Sequence, residues 1–272
     1  MKSAYGQYCP LALAAEVVCE RWTLLIVSRV IDGCEQFNDI HRGVPRISPS
    51  LLSKRLDQLV RAGVLAKRPA TNATRARYTL TQAGRDLEPL IGTLAVWGQR
   101  WGRDMIGDDL DPAFLLWSMH TRLAIAAMPP GRTVIEFEFS GAPKDCRRFW
   151  LVHERGIVDM CLKHPGYDVD LAVAADLRLF VEAWRGFRDL RSEIRARRVL
   201  VHGPSKLVRQ FPDWLLLSSL ATRPRMRAGR ERRLASDNNR RRGTGQRVRQ
   251  ELLNGGERGI RTLDRAFDPI LP

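Results

Sequence analysis

The stretch that most constrains the fold is residues 47–68, ISPSLLSKRLDQLVRAGVLAKR, which carries two patterns of the same helical period. Apolar side chains recur at the spacing that forms one buried stripe: Leu52, Leu56, Leu59 and Val60. Polar side chains recur on the opposite side: Ser50, Ser53, Lys54, Asp57, Gln58 and Arg61. Ser48 and Pro49 predict an N-cap and a first helical residue, and Gly63 predicts the helix end. The stretch therefore predicts a short helix that is packed on one side and polar on the other.

The segments on either side of this helix predict a winged helix-turn-helix. ERWTLLIVSRVIDGC predicts a helix with an apolar face that ends at Gly33, and QFNDIHRGV predicts a shorter helix that closes at Gly43. A short helix, a turn containing glycine and proline, and a longer second helix form a helix-turn-helix. Val64–Arg68 and Ala76–Thr81 predict two strands around the polar loop PATNATR, which is the hairpin, or wing, of such a fold.

The polar helix face and the wing predict contacts with double-stranded DNA, because hydroxyl, amide and cationic side chains read base edges and hold phosphates. A merely solvated helix face is the alternative that periodicity alone leaves open. The predicted contacts on the helix and its cap are Ser48, Ser50, Ser53, Lys54 and Gln58. The predicted phosphate partners are Arg42, Arg46 and Arg55 around the helix and Arg68, Asn72, Arg75 and Arg77 at the wing.

A further helix, within RYTLTQAGRDLEPLIGTLAVWGQRW, predicts a homodimer. Its apolar residues alternate steps of three and four, which is the spacing of a seam between two helices. These residues are Leu87, Leu90, Leu94, Trp97 and Trp101. Pro89 near the start limits or kinks the first turn. The alternative is a helix that packs onto its own domain.

The net charge of +15 is concentrated at the two ends of the chain. Residues 1–104 carry 15 basic and 9 acidic side chains, and residues 222–272 carry 14 and 6. Basic ends fit a polyanion such as nucleic acid, or an anionic membrane surface. Residues 222–272 are Arg-rich and nearly free of aromatic residues, which predicts a disordered basic tail that adds phosphate attraction. A tail with no selected role is the alternative.

Residues 111–221, after the polar break GDDLDP, predict a second, α+β domain. Strict alternation in RTVIEFEFSG and YDVDLAVAA predicts strands, and RRFWLVHERGIVDMCL predicts a hairpin turning near Glu154 to Gly156. Helices are predicted in AFLLWSMHTRLAIAAM, in ADLRLFVEAWRGFRDLRSEIRARR and in PSKLVRQFPDWLLLSSL, with the short strand VLVHG between the last two. We expect an antiparallel sheet with one face covered by helices.

The sequence predicts neither enzymatic chemistry nor a metal or cofactor site. There is no GxSxG, no P-loop and no GxGxxG, and Cys161 and His164 lack a second pair to complete a zinc site. Five widely spaced cysteines without a CxxC indicate reduced thiols in a cytoplasm. With no secretory signal and no apolar run near the ~20 residues that span a bilayer, we expect a soluble, cytoplasmic protein without a membrane partner.

The run from Cys9 through Trp101 resembles the HxlR family of bacterial winged-helix transcriptional regulators. The resemblance is carried by YCPLALA, RWTLLIV, FNDIHRGVPRISPSLLSKRLDQLVRAGVLAKR and RYTLTQAGRDLEPLIGTLAVWGQRW. It implies a dimer that reads a DNA operator with the helix of residues 47–68. The Thr/Asn/Ala wing tip departs from the family, so what the tip contacts stays open.

The second domain resembles the sterol-carrier-protein type of lipid-binding domain, through VDLAVAADLRLFVEAWRG and VLVHGPSKLVRQFPDWL. The resemblance implies an apolar cavity between sheet and helices that takes up a lipid-like or aromatic small molecule. The candidate walls are Phe137, Phe139, Trp150, Phe180, Trp184 and Trp214. For each aromatic, ordinary core packing is the alternative.

The leading interpretation is a dimeric, sequence-specific DNA-binding transcriptional regulator with an apolar effector in its second domain. A second interpretation makes the sensor a thiol: Cys9 in YCP stands where some members of the family are redox-responsive, and Pro10 predicts a helix starting there. A third is a lipid-binding module whose winged helix only dimerises. The polar helix face and the missing catalytic motif argue against the third.

Overall fold

A computed structural model describes residues 5–69 and 76–226 of the 272-residue chain. The chain divides into a compact unit of residues 1–227 and a second unit, residues 228–272, that lies outside the described residues. The described unit holds a winged-helix region up to residue 101 and a sheet region from residue 112. The winged-helix elements are α1 (Pro10–Val18), α2 (Thr23–Ile31), α3 (Phe37–Gly43), α4 (Pro49–Arg61), β1 (Leu65–Arg68), β2 (Arg77–Leu80), α5 (Gln82–Asp86) and α6 (Glu88–Trp101).

Helix α4 begins and ends where the sequence predicted. The Ser48 hydroxyl accepts a hydrogen bond from the Leu51 amide at 3.3 Å, Pro49 is the first helical residue, and Gly63 follows the last turn with φ +71°. The cap satisfies one of the free amides that every helix start carries. The apolar stripe of α4 lies in the core of the winged-helix region, which contains Ile26, Val27, Val30, Ile40, Val44, Ile47, Leu52, Leu56, Leu59, Val64, Leu65 and Tyr78.

The wing is a two-stranded antiparallel hairpin anchored at its base. The strands pair from Leu65 opposite Leu80 to Arg68 opposite Arg77, so these two arginines face each other across the hairpin. The Tyr78 amide donates to the Glu35 carbonyl at 2.7 Å, and the Arg77 guanidinium pairs with the Glu35 carboxylate at 3.2 Å. The turn between α2 and α3 thus holds the wing against the helices.

The sheet region begins with α7 and ends with α10. A 3-10 turn at Gly107–Asp109 precedes α7, and another at Ile125–Ala127 follows it. The predicted helix through Met128 is therefore shorter and ends at His120. The elements are α7 (Pro112–His120), β3 (Thr133–Ser140), β4 (Arg148–Glu154), β5 (Ile157–Cys161), β6 (Leu171–Asp176), α8 (Leu177–Trp184), α9 (Leu190–Arg195), β7 (Val199–His202) and α10 (Ser205–Trp214).

The five strands form one sheet in the order β5-β4-β3-β6-β7. The predicted α+β class is confirmed, but the prediction of an antiparallel sheet is wrong at one pair: β3 and β6 run parallel, with Ile135 opposite Leu171. After β5 the chain crosses the sheet through residues 162–170 and enters β6 beyond β3, which fixes the direction of β6. The β4–β5 hairpin turns at Arg155 and Gly156, both with positive φ, as in a two-residue primed turn.

Alternation along the strands separates two buried surfaces. Phe137 and Phe139 belong to the main core with the helices, together with Phe180, Phe211 and Trp214. On the opposite face, Val134, Trp150 and Val152 form a smaller cluster, and the crossing segment 162–170 covers it, with His164 against the Trp150 ring at 5.5 Å. Helices therefore cover one face of the sheet, and the crossing segment covers only the part of the other face around Trp150, while Glu138, Arg148 and Leu200 on that face are exposed.

The first residues of the predicted tail are bound to the winged-helix region. Arg225 pairs with the Asp104 carboxylate and donates to the Gly102 carbonyl, and the Met226 amide donates to the Arg100 carbonyl at 2.9 Å. The tail prediction is therefore wrong for residues 222–226, because Asp104 and free carbonyls at the end of α6 hold these residues. The prediction for residues 227–272 concerns a segment outside the described residues. Among the described helices, none is both long and apolar enough to cross a membrane.

The fold predicts that replacing two helical glycines by alanine has opposite effects on the free energy of unfolding. A Cβ on Gly84 would stand 2.3 Å from the Val64 carbonyl oxygen, whereas a Cβ on Gly92 meets nothing within 4 Å. Gly84→Ala should lower the free energy of unfolding by about 1–3 kcal/mol through overpacking. Gly92→Ala should raise it by up to about 1 kcal/mol, because alanine favours a helix. Urea denaturation of both variants checks this, and an unaltered Gly84→Ala midpoint would contradict the packing described.

Candidate nucleic-acid interface

The outward face of α4 presents a small set of exposed polar side chains. Ser50, Ser53 and Lys54 are exposed in the first turns of the helix, and Gln58 is half-buried one turn further along. The opposite face is closed, since Leu52 and Leu56 are fully buried. The burial of one stripe fixes how the helix is rotated, so these polar groups point away from the core.

Arg55 does not fit its predicted role as a phosphate partner. Its side chain is only 11 % exposed, and its guanidinium pairs with the Glu20 carboxylate at 2.7 Å. It also donates to the Arg21 carbonyl at 3.1 Å and to the Gln58 side-chain oxygen at 2.7 Å. These bonds tie α4 to the turn between α1 and α2 and fix the Gln58 amide. Arg55 therefore holds the reading helix in place.

The other predicted arginines differ in how free they are. Arg42 is exposed, with Asp39 at 3.5 Å, whereas Arg46 pairs at 3.3 Å with Asp111.

Arg68 is exposed at the end of β1 in the wing, and among the described carboxylates none lies within ion-pair distance of it. Arg77 is half-exposed and pairs with Glu35, and Asn72 and Arg75 lie outside the described residues. Arg61, exposed in the last turn of α4, is a further cation on this side that the DNA contacts predicted above do not include.

Helix α6 carries uncovered apolar side chains on one side. Leu90 and Leu94 are each 43 % exposed, Trp97 is 59 % exposed and Trp101 is 46 % exposed. Leu87, the first residue of the predicted seam, packs instead against the core of the winged-helix region. Helix α1 also exposes apolar residues, among them Tyr8 just before it and Leu11 within it. We refer to these exposed side chains of the two helices as the apolar face of α6 and α1.

The six predicted wall residues of a lipid cavity do not share one space. Phe137, Phe139, Phe180 and Trp214 are at most 1 % exposed and pack on one another or on Phe211. Trp150 lies on the opposite face of the sheet. Trp184 lines a cavity beside the winged-helix region. A ligand role for these residues stays a prediction, but the grouping of Trp150 with Phe137 is wrong, because successive strand residues alternate faces.

The cysteines are all free. Cys9 is exposed at the N-cap of α1, so the thiol stands at a helix start as expected, and its redox role stays a prediction. Burial raises the pKa of the Cys34 thiol to about 11, which keeps it protonated. Within the described ranges, no three His, Cys, Asp or Glu side chains come together as a metal site.

One link between the two regions was not predicted. Gln99 on α6 is 3 % exposed and accepts two hydrogen bonds from Arg185, from Nε at 3.2 Å and from Nη2 at 2.8 Å. Its amide nitrogen donates to the Arg185 carbonyl at 3.0 Å and to the Leu220 carbonyl at 3.4 Å. We call this set the Gln99 clamp. The signal in the sequence was a single amide between Trp97 and Trp101 on α6.

The winged-helix region has known relatives. The profile of the HxlR-like helix-turn-helix family matches residues 17–105. The HTH-type transcriptional regulator YvaP of Bacillus subtilis is 33 % identical over 113 residues, which are 40 % of this chain and 96 % of YvaP. The HTH-type transcriptional regulator Rv3095 of Mycobacterium tuberculosis is 41 % identical over 91 residues, 32 % of this chain and 56 % of that protein. Among solved structures, the oxidized form of the redox regulator HypR is 28 % identical, with a TM-score of 0.34, over 36 % of this chain and all of that one.

A helix-turn-helix followed by a wing, with an exposed polar face on the second helix, is the architecture of DNA-binding transcriptional regulators, the class to which the matched relatives belong. The chain belongs to the HxlR-like helix-turn-helix family. The family match ends at residue 105, so it does not extend into the sheet region.

Lys54 and Arg55 are neighbouring cations on α4 with different surroundings, so their replacement should affect stability differently. Arg55→Ala removes the ion pair with Glu20 and the hydrogen bonds to Arg21 and Gln58, and should lower the free energy of unfolding by about 1–3 kcal/mol. Lys54→Ala removes an exposed side chain and should change it by less than about 0.5 kcal/mol. Thermal and urea denaturation of both variants make the comparison. Equal stability of the two variants would rule out a supporting role for Arg55.

Proposed function

We propose that this regulator recognises a specific DNA operator as a homodimer, with α4 in the major groove. The observation that carries the proposal is the exposed row of Ser50, Ser53 and Lys54 at the start of a helix whose other face is fully buried. Such side chains reach base edges when the first turns of a recognition helix enter the groove.

The surroundings of α4 support contact with phosphates. The start of α4 carries the positive end of a helix dipole, which favours an anion. Arg42 on one side and Arg68 at the wing are exposed cations. Phosphate contacts of this kind position a protein on the duplex, while base contacts supply the specificity.

The apolar face of α6 and α1 supports a homodimer. Two leucines and two tryptophans of α6 stand at least 43 % exposed, with Tyr8 and Leu11 of the α1 segment also uncovered. Exposed apolar patches of this kind mark interfaces between proteins. A two-fold dimer places two copies of α4 on successive half-sites about one helical turn apart.

The DNA proposal is tested with an operator selected from a random duplex library by the full chain. Lys54→Ala should weaken binding of that operator by about 1–3 kcal/mol while leaving stability unchanged. Lys206→Ala, which removes an exposed lysine from α10, is the matched control and should bind as the parent does. Fluorescence anisotropy at fixed salt measures both.

Two results would count against the DNA proposal. If Lys54→Ala binds the operator with unchanged affinity, the proposal that α4 contacts the bases is wrong. Failure of the folded parent to select any duplex would favour a module in which the winged helix only dimerises.

The dimer proposal is tested with charges on the apolar face of α6. Leu94→Glu combined with Trp97→Glu should yield a monomer by sedimentation equilibrium, because burying two carboxylates in an interface is costly. Ile157→Glu combined with Leu200→Glu places the same charges on exposed apolar positions of the sheet edges and should leave the dimer intact. If the variant with both changes on α6 remains a dimer, the dimer interface does not lie on α6.

A ligand-sensing role for the sheet region remains part of the proposal. Its support is that α7 contacts both α3 and the sheet, so a molecule bound at this junction touches the DNA-binding region directly. The resemblance to sterol-carrier domains supports an apolar ligand. Because Phe137 and its neighbours pack densely on one another, the junction is the place proposed for that ligand.

A further inference from the structure

A cavity lies between the winged-helix region and the sheet region. Its volume is about 800 Å³, which is within the range of small-molecule sites. Residues of α2 and α6 line one side, and residues of α7, α8 and the segment after α10 line the other. A molecule bound there would contact both regions at once.

The charges in the cavity wall do not cancel. Three carboxylates of the wall each have an arginine partner: Asp32 with Arg29, Asp109 with Arg103, and Asp111 with Arg46. Arg122 and Arg185 also line the cavity, and among the described side chains no carboxylate lies within ion-pair distance of either. The wall therefore presents two cations without counter-charges, which favours an anion inside the cavity.

Arg185 is held in position for such a contact. Burial lowers the pKa of Arg185, and the charge of Arg225 lowers it further. Its guanidinium stacks on the Phe187 ring at 4.7 Å. The two hydrogen bonds to the Gln99 oxygen fix the direction of the guanidinium. Arg122 is likewise fixed, since its Nε donates to the Leu217 carbonyl. Both cations are thus pre-positioned, which reduces the entropy lost when a ligand binds.

Aromatic side chains form much of the remaining wall. Phe114, Trp117 and Trp184 line the cavity, with Leu115 and Val181 beside them. Apolar walls with a few convergent polar groups are typical of sites for small organic molecules. From this combination we propose that the cavity binds a small organic carboxylate with an aromatic or apolar body, its carboxylate at Arg122 and Arg185.

The same site is connected to the proposed dimer helix. Gln99 lies on α6 between Trp97 and Trp101 and bonds to Arg185 in the cavity wall. A carboxylate bound to the N–H groups of Arg185 that Gln99 leaves free adds a charged acceptor beside the Gln99 oxygen. Binding therefore acts on the Gln99 clamp and, through it, on the placement of α6. This regulatory step rests on the proposed function, whereas binding of the carboxylate does not.

The proposal is tested by titrating the full chain with 1-naphthoate and with the neutral 1-naphthamide in a calorimeter. We expect saturable binding of the carboxylate and at least tenfold weaker binding of the amide. Arg185→Gln and Arg122→Gln should each weaken naphthoate binding at least tenfold, or about 1.4 kcal/mol. Arg209→Gln, which removes an exposed arginine of α10 that does not line the cavity, should bind as the parent does.

The outcomes separate the ligand site from the proposed function. Equal affinity for naphthoate and naphthamide, unchanged binding by both arginine variants, or no saturable binding by the folded parent would each overturn the site. Thermal denaturation of each variant shows that it is folded, and Arg122→Gln keeps the test valid if Arg185→Gln is unstable. If naphthoate binds but no duplex is selected, the proposed function fails and the site stands. A shift in operator affinity with naphthoate supports the coupling through α6.

Discussion

Among the contacts that join the two regions, the central one is a stack between Arg29 of α2 and Trp117 of α7. The guanidinium lies 4.4 Å from the centre of the indole ring and pairs with Asp32 at 3.2 Å. Gly43 makes the approach possible, since a Cβ there would stand 2.5 Å from Arg29 Cδ and 3.0 Å from the Trp117 ring. Burial lowers the pKa of Arg29, with Asp32 opposing this shift. The geometry of α2, α3 and α7, and the cavity beside them, depends on this buried cation being satisfied.

Sequence reasoning succeeded where the determining interactions are local. The bounds of α4 follow from Ser48, Pro49 and Gly63, which act within a single turn of backbone. Strand alternation likewise identified the inward face of Phe137 and Phe139. The direction of β6 could not be read this way, because alternation is the same in parallel and antiparallel strands.

The candidate sites show the same limit. The exposed row on α4 was predictable from periodicity, but the role of Arg55 depends on Glu20, which lies far back in the chain in the turn between α1 and α2. The Gln99 clamp joins residues 86 positions apart, and no pattern within either helix indicates that they meet. Long-range pairs of polar groups are set by tertiary packing, so the cavity between the regions was not predictable. The segment after Trp214 that lines it was predicted as helix, but α10 ends at Trp214.

Arg68 and Arg77, which face each other across the wing, link hairpin stability to the ionic environment. Like charges placed directly opposite on neighbouring strands repel, and Glu35 compensates only Arg77. Dissolved salt screens such repulsion, and a phosphate backbone supplies localised counter-charges in its place. The hairpin is therefore least favourable in dilute buffer. If the wing contacts DNA as proposed, the duplex lowers this repulsion, and part of the free energy of binding comes from that relief.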